Sequence, residues 1–410
     1  MFLASTTGDA DTHAPQRAPD TTITSAPTRR HAAGANTSGP TTAPYTRQMI
    51  HIESAVDLAR STPAQAHSKL IERAAATPPH WMVASSASFN ETRARRRGYE
   101  MAGSFPQQQE GLRYLTEGGQ ETEIMYKFGF ELPEFALFPL LDDPRAVAEL
   151  RGMYERYLET ASAHGFGALM GGFDYRASPD WAGLLGYSPT ALEEMQLRSI
   201  DFLREVARPY VDQLPALLFV GIVGPRGDAY SLDQRMTPDQ AEEYHSTQIA
   251  TLATADVDLV EAMTFNSVPE AVGVARAAAR VGLPASILFT LDSNHRLHSG
   301  PTLNEAIEAV DAECGEARPA FYGINCSHPL EFLPAIEPGD WFERIRCLRP
   351  NAAMMDKISL CTLGHLESGD PVDLGQGMGA IAELYPHIDI WGGCCGTWDT
   401  HLDEIARNVT

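Results

Sequence analysis

Eight short apolar segments alternate with amphipathic, helix-like segments over residues 111–410, and this alternation limits the fold more than any other feature. Regular alternation of strands and helices predicts a parallel sheet, because each strand needs a crossover helix before the next parallel strand. Eight repeats favour a (β/α)8 TIM barrel. An open doubly wound sheet is the alternative, but no G-x-G-x-x-G follows the first segment, so a dinucleotide site is not supported. The apolar segments are 112–116, 166–170, 216–221, 257–263, 285–290, 320–325, 352–355 and 388–391.

The helix-like segments carry their own start and stop signals. Asp143-Pro144 opens one helix and Gly165 closes it, since Asp caps a helix N-terminus and Gly tolerates the left-handed residue after its end. The other predicted helices lie near 189–208, 237–254, 268–281, 302–313, 338–347, 374–384 and 397–408. In such a barrel the active site lies at the carboxyl ends of the strands.

The first part of the chain differs from the rest in composition. Residues 1–48 are rich in Thr, Ala, Pro, Ser and Gly, and too few large apolar side chains are present to offset the entropy of ordering. Residues 50–76 show only a weak helical pattern, which Pro63 interrupts. We therefore predict a largely disordered or weakly helical extension over residues 1–110 and a barrel over residues 111–410.

The net charge restricts the partners of the protein. With 54 acidic and 31 basic residues the formal charge is −23, which argues against binding a nucleic acid backbone. No apolar segment approaches the roughly 20 residues that a membrane helix needs, and no secretory signal pattern is visible. We expect a cytoplasmic protein that acts on small molecules, without membrane or nucleic acid partners; a homo-oligomer is compatible with the sequence.

Three cysteines stand at the ends of predicted strands. Cys394 and Cys395 follow the eighth segment and are framed by glycines at 392, 393 and 396, which permit the turn that two neighbouring side chains need to face one point. Cys326 ends the sixth segment, and the carboxyl ends of the sixth and eighth strands of a parallel barrel face the same mouth. The sequence thus predicts three converging thiols.

Three sulfur ligands with a fourth position open are typical of a catalytic zinc site. A substrate thiol in that position would lose its proton near neutral pH and become the nucleophile. The spacing alone also allows a strained disulfide between Cys394 and Cys395, or buried cysteines that act as small apolar side chains. The other cysteines, Cys314, Cys347 and Cys361, lack a glycine frame, and we predict that they are core residues or free thiols.

The motifs Gly-Gly-Cys-Cys-Gly-Thr at 392–397 and Gly-Ile-Asn-Cys at 323–326 resemble those of the homocysteine S-methyltransferases. Segments 116–123, 221–227 and 286–292 resemble the first-, third- and fifth-strand motifs of that family, in the same order. The resemblance spans about 112–408. It implies transfer of a methyl group from a small onium donor (S-methylmethionine, S-adenosylmethionine or betaine) to the thiolate of homocysteine, giving methionine.

The resemblance also implies roles for individual residues. Zinc would be bound by Cys326, Cys394 and Cys395, and no side chain beyond the substrate's own thiolate would be needed for catalysis. Residues expected to contact the amino acid part of the substrate are Glu117, Gly118, Gly119, Glu261 and Thr290. Glu261 lies two residues before the position where the family usually has a glutamate, and we expect it to reach the substrate amine from one layer deeper.

Other departures from the family pattern concern the amino acid pocket and the donor. Asp174 and Arg176 stand in a tract, 171–178, where the family more often has uncharged residues, and segments 356–359 and 364–369 replace a common motif after the seventh strand. A cationic donor is expected to contact the aromatic ring of Phe173, Tyr175 or Trp181. Two alternative functions remain: an acceptor module that takes methyl groups from a separate corrinoid protein, and a non-catalytic barrel with a structural metal.

Overall fold

Eight parallel strands close into a barrel in chain order, which confirms the predicted fold. The computed structural model describes residues 105–230, 236–337, 339–354 and 365–410, so residues 1–104 of the predicted extension and Cys361 lie outside the described residues. The barrel closes where Tyr114 of the first strand pairs with Gly167 on one side and Ile390 on the other. The strands are β1 (Tyr114–Leu115), β2 (Gly167–Gly171), β3 (Leu217–Val223), β4 (Leu259–Phe265), β5 (Ala285–Phe289), β6 (Phe321–Asn325), β7 (Ile345–Arg349) and β8 (Ile390–Trp391).

Helices surround the barrel. Those in the described residues are α1 (Gln120–Tyr126), α2 (Pro144–His164), α3 (Pro179–Leu184), α4 (Pro189–Ala207), α5 (Pro238–Thr254), α6 (Val268–Arg280), α7 (Leu303–Cys314), α8 (Pro329–Phe332), α9 (Pro371–Leu384) and α10 (Asp399–Asn408). The predicted ends of α2 are confirmed: the Asp143 side chain accepts a hydrogen bond from the backbone of Arg145, and Gly165 adopts a φ of 71°. Among the described helices, none has the length and apolar character that crossing a bilayer requires.

The seventh strand lies earlier than predicted. The predicted strand at 352–355 and the predicted helix at 338–347 are wrong, because β7 is Ile345–Arg349 and a short 3-10 turn, Asp340–Arg344, precedes it. Two arginines make this strand difficult to recognise from the sequence. Arg346 is buried and pairs with Asp389 at 2.6 Å, and Arg349 is buried inside the barrel. Charged residues argue against a buried strand only when no counterion is within reach.

The interior of the barrel changes from apolar to polar along the strands. Its apolar part is a cluster built from strand residues: Tyr114, Leu169, Val220, Ile222, Leu259, Leu288, Phe321, Cys347 and Ile390. Because side chains two residues apart share a face, Glu261 follows Leu259 and Arg349 follows Cys347 on the inner face. The polar layer therefore lies directly below the carboxyl ends of the strands.

Asp174, which follows β2, lies in an unfavourable environment for a carboxylate. Its Oδ2 is 3.4 Å from Ser199 Oγ, and its Oδ1 has no hydrogen-bond partner in the described part of the chain. Burial raises the pKa of this carboxyl group well above its ordinary value. The folded state therefore loses stability as the pH rises above the unfolded pKa of about 3.9, since only the unfolded chain releases the proton easily.

We expect Asp174→Asn to raise the free energy of unfolding at pH 8 by about 1–2 kcal/mol, because the amide removes the penalty of burying a charge. The gain should vanish below about pH 3, where the aspartate is protonated in both states. Urea unfolding at about pH 3, 6 and 8 measures it. The control is Asp201→Asn on the solvent-exposed side of α4, where no such gain is expected. A gain of the same size at every pH would contradict the assignment.

Candidate metal centre

Cys326 occupies the first position after β6 and has an unusual backbone. Its φ of 53° lies in the left-handed region, which non-glycine residues adopt rarely and usually near functional sites. Two neighbouring strand ends hold it there. Its N–H donates to the carbonyl oxygen of Arg349 at 3.2 Å, and the hydroxyl of Thr290 donates to its carbonyl oxygen at 3.4 Å. Thr290, expected to contact substrate, is thus buried beside the Cys326 backbone.

Cys394 and Cys395 lie in a tight turn after β8. The N–H of Cys394 donates to the carbonyl oxygen of Pro350 at 2.8 Å, and the Cys394 carbonyl oxygen accepts from the Thr397 hydroxyl at 2.7 Å. A Cβ at Gly393 would collide with that hydroxyl, and Gly396 has a φ of 83°. These two glycines therefore allow the chain to leave strand geometry, as the sequence predicted.

The three thiols converge. Cys326 Sγ lies 2.9 Å from Cys394 Sγ and 3.6 Å from Cys395 Sγ, and all three sulfur atoms lie within 4.8 Å of one another. All three cysteines are free, so the two neighbours do not form a disulfide. Ligands about 2.3 Å from a single zinc ion can be at most about 4.6 Å apart. The spacing, the burial and the soft sulfur donors fit a zinc site.

The surroundings of Cys394 and Cys395 favour neutral thiols. Hydrogen bonding to Cys326 and burial raise the pKa of the Cys394 thiol, and the same causes raise the pKa of Cys395 well above its ordinary value. The hydroxyl of Tyr230, in the loop after β3, hydrogen-bonds to Cys326. A metal must displace these protons, so its affinity is expected to increase with pH.

Asn325, the last residue of β6, links the cluster to β4. Its Oδ1 accepts the backbone N–H of Thr264 at 2.9 Å, and its Nδ2 donates to the Thr264 hydroxyl at 2.8 Å. The same Nδ2 lies 3.8 Å from Cys394 Sγ. Sequence reasoning assigned no role to Asn325, although it directly precedes Cys326 in the 323–326 motif.

A buried arginine organises the polar layer below the cysteines. Arg349 Nη2 lies 2.7 Å from Glu117 Oε1, and Arg349 Nη1 lies 3.0 Å from Glu261 Oε1. All three side chains are only 2% exposed. Arg349 Nε also donates to the carbonyl oxygen of Gly393 at 3.2 Å, directly before the cysteine pair. This arginine therefore joins β1, β4, β7 and β8, and sequence reasoning missed it because β7 was misplaced.

The remaining oxygens of the two glutamates also have partners. Glu117 Oε2 accepts the backbone N–H of Gly171 at 3.1 Å, and Glu261 Oε2 accepts the hydroxyl of Ser286 at 3.1 Å. Burial raises the pKa of Glu261, while Arg349 opposes that shift. Both carboxylates, which the sequence suggested for substrate binding, are thus fully engaged with protein groups.

Gly118 and Gly119 allow the loop after β1 to approach the cysteine turn. The N–H of Gly119 donates to the carbonyl oxygen of Thr397 at 2.9 Å, and a Cβ at Gly119 would collide with the carbonyl oxygen of Cys394. A Cβ at Gly118 would meet the carbonyl group of Thr397. The glycine pair is therefore required by backbone packing against the site.

The aromatic residues after β2 do not form an open cage. The prediction for Phe173 is wrong, because its ring is buried outside the barrel against the ring of Tyr154, at 5.6 Å. Arg176 places its guanidinium 5.2 Å from the ring centre of Tyr175 and 4.1 Å from that of Trp181. The protein's own cation thus contacts both rings.

Comparison with known proteins gives a consistent result. A family model described as homocysteine S-methyltransferase matches residues 114–409. Three crystal structures of the homocysteine methyltransferase MmuM from Escherichia coli share the barrel fold. The metallated form has 19% identity and a TM-score of 0.56, covering 73% of this chain and 96% of that one. The oxidized form has 20% identity and a TM-score of 0.57, covering 72% of this chain and 95% of that one. The apo form has 18% identity and a TM-score of 0.52, covering 73% of this chain and 97% of that one.

Proposed function

Because the chain belongs to the homocysteine S-methyltransferase family, we propose that this methyltransferase moves a methyl group from a small onium donor to the sulfur of homocysteine, giving methionine. The observation that carries the proposal is the cluster of three buried thiols at the carboxyl ends of β6 and β8. Sulfur ligands favour zinc over magnesium or calcium, whose preferred ligands are oxygen atoms.

The metal would be held by Cys326, Cys394 and Cys395. Zinc held by these residues would supply a lowered pKa for the substrate thiol, so that homocysteine would react as the thiolate. The protein's own contribution is to orient the reactants. Arg349 and Asn325 both hold the turn that carries the cysteine pair, through Gly393 and Cys394 respectively. A fixed geometry supplies much of the acceleration of a bimolecular reaction.

The methyl transfer is a direct displacement at carbon. The bond between the homocysteine sulfur and the methyl carbon forms while the bond from that carbon to the positively charged sulfur or nitrogen of the donor breaks. The electron pair of the broken bond stays with the donor, which leaves uncharged at that atom. No general acid or base is required, since the sulfur attacks without its proton.

The amino acid part of the substrate is expected to lie against the loop after β1. We propose that the backbone N–H of Gly118 receives the substrate carboxylate, because the N–H of the adjacent Gly119 already donates to Thr397. Thr290 supports the site indirectly by holding the carbonyl group of Cys326. Glu117 and Glu261 hold Arg349 in place rather than facing a ligand.

A donor panel tests the function. The zinc-loaded full chain is incubated with homocysteine and, separately, S-methylmethionine, S-adenosylmethionine, betaine or methylcobalamin, and methionine is measured. We expect methionine with at least one of the three onium donors and none after the metal has been removed by a chelator. Methionine from methylcobalamin alone would favour the corrinoid-linked alternative, and no methionine from any donor would favour the non-catalytic barrel.

A further inference from the structure

The carboxylates at 117 and 261 are poor partners for a substrate ammonium group. Each has one oxygen on Arg349 and the other on a neighbouring strand, at Gly171 and Ser286 respectively. An ammonium group that took either carboxylate would leave the guanidinium of Arg349 buried with an incomplete set of partners. Breaking one member out of a buried ion network is strongly unfavourable. A different carboxylate is therefore needed if the acceptor is an amino acid.

Glu121 lies beside the cysteine turn, in the first turn of α1. Its neighbours on both sides bind that turn: Gly119 donates to the carbonyl oxygen of Thr397 at 2.9 Å, and Thr122 Oγ1 accepts the N–H of Gly396 at 3.1 Å. The helix start is therefore fixed against the metal centre. Glu121 itself is partly exposed, unlike the buried residues next to it.

Glu121 differs from Glu117 and Glu261 because, among the described residues, it forms no ion pair with Arg349. In the described part of the chain, no other residue forms an ion pair or hydrogen bond with its carboxylate; its own backbone N–H does. Burial raises the pKa of Glu121 to about 7; its own backbone N–H and Arg349 oppose that shift, while Cys326 and Glu117 add to it. A cationic group beside it would restore the charged form and remove this unfavourable situation.

We propose that Glu121 determines specificity for an α-amino acid acceptor by binding its ammonium group. This inference rests on the proposed function. The acceptor is favoured over the onium donor because the charged groups that act on Glu121 are Arg349, Cys326 and Glu117, which all lie at the sulfur end of the site. In homocysteine the ammonium group is only a few bonds from the sulfur atom. Arg349 makes this arrangement necessary by neutralising the two deeper carboxylates.

Equilibrium binding separates this role from a structural one. The dissociation constants of homocysteine and of 4-mercaptobutanoic acid, which lacks the ammonium group, are measured by calorimetry on the zinc-loaded full chain. We expect Glu121→Gln to weaken homocysteine binding about 10- to 100-fold, as for a lost charged hydrogen bond, and to change binding of the mercaptobutanoate less than about twofold. Glu121→Asp should recover part of the loss. The matched control is Glu131→Gln, which neutralises an exposed carboxylate in the loop after α1.

The inference would be overturned if Glu121→Gln weakened the binding of both thiols equally or of neither. It would also be overturned if the wild-type protein bound both thiols with equal affinity or did not bind homocysteine. Failure of the proposed function looks different. A wild-type protein that prefers homocysteine over the mercaptobutanoate but makes no methionine with any donor would refute the function, while the ratio of dissociation constants still decides the role of Glu121.

Discussion

Cys394→Ser is expected to abolish methyl transfer and to weaken zinc binding at least about 100-fold. Losing a residue that only supports a metal ligand typically weakens binding about 10- to 100-fold, and losing the ligand itself should cost more. The reason is the position of Cys394 within the cluster, 2.9 Å from Cys326 Sγ and held by the turn through Pro350 and Thr397. A serine hydroxyl is a harder ligand than a thiol and keeps its proton near neutral pH, so it replaces the sulfur poorly.

Zinc content after dialysis and competition with a chelator measure the effect without reference to turnover. Cys314→Ser is the matched control, because Cys314 is a buried free cysteine at the end of α7 whose Sγ contacts Val272 rather than the cluster. Its zinc content should equal that of the wild type. Full zinc occupancy and full activity in Cys394→Ser would show that the three-thiol cluster is not the metal centre of this enzyme.

Arg349→Met is expected to lower the free energy of unfolding by about 3–5 kcal/mol at pH 7. The substitution keeps much of the side-chain volume but leaves Glu117 and Glu261 buried without a cation. Because Arg349 opposes the effect of burial on Glu261, its removal should raise the pKa of Glu261 further. The loss of stability is therefore smallest below about pH 3, where carboxyl groups are protonated in the unfolded chain as well, and it grows as the pH rises.

Urea unfolding of the full chain across this pH range measures the difference. The triple variant Arg349→Met, Glu117→Gln, Glu261→Gln should recover part of the lost stability, because it removes the unpaired charges. Arg407→Met serves as the control, since this arginine forms ion pairs at the surface of α10, and a change of less than about 1 kcal/mol is expected. A loss in Arg349→Met that does not depend on pH would contradict the ionic explanation.

Much of the fold could be predicted from local patterns. The alternation of strands and helices identified the barrel, and the Asp143 and Gly165 signals gave both ends of α2. The seventh strand could not be placed, because Arg346 and Arg349 look like surface residues until their counterions are known. Those counterions are remote in the sequence: Asp389 follows Arg346 by 43 residues, and Glu117 is 232 residues from Arg349.

The barrel and the convergence of three cysteines could be predicted without coordinates, because strand period, glycine frames and cysteine spacing are local properties that a parallel barrel brings to one position. The partners of the acidic residues became known from the three-dimensional contacts. Glu117, Glu121 and Glu261 are equivalent as carboxylates in the sequence. A single buried guanidinium forms ion pairs with Glu117 and Glu261, and among the described residues no cation forms an ion pair with Glu121. That choice depends on which side chains meet inside the barrel, and distant strands alone set those contacts.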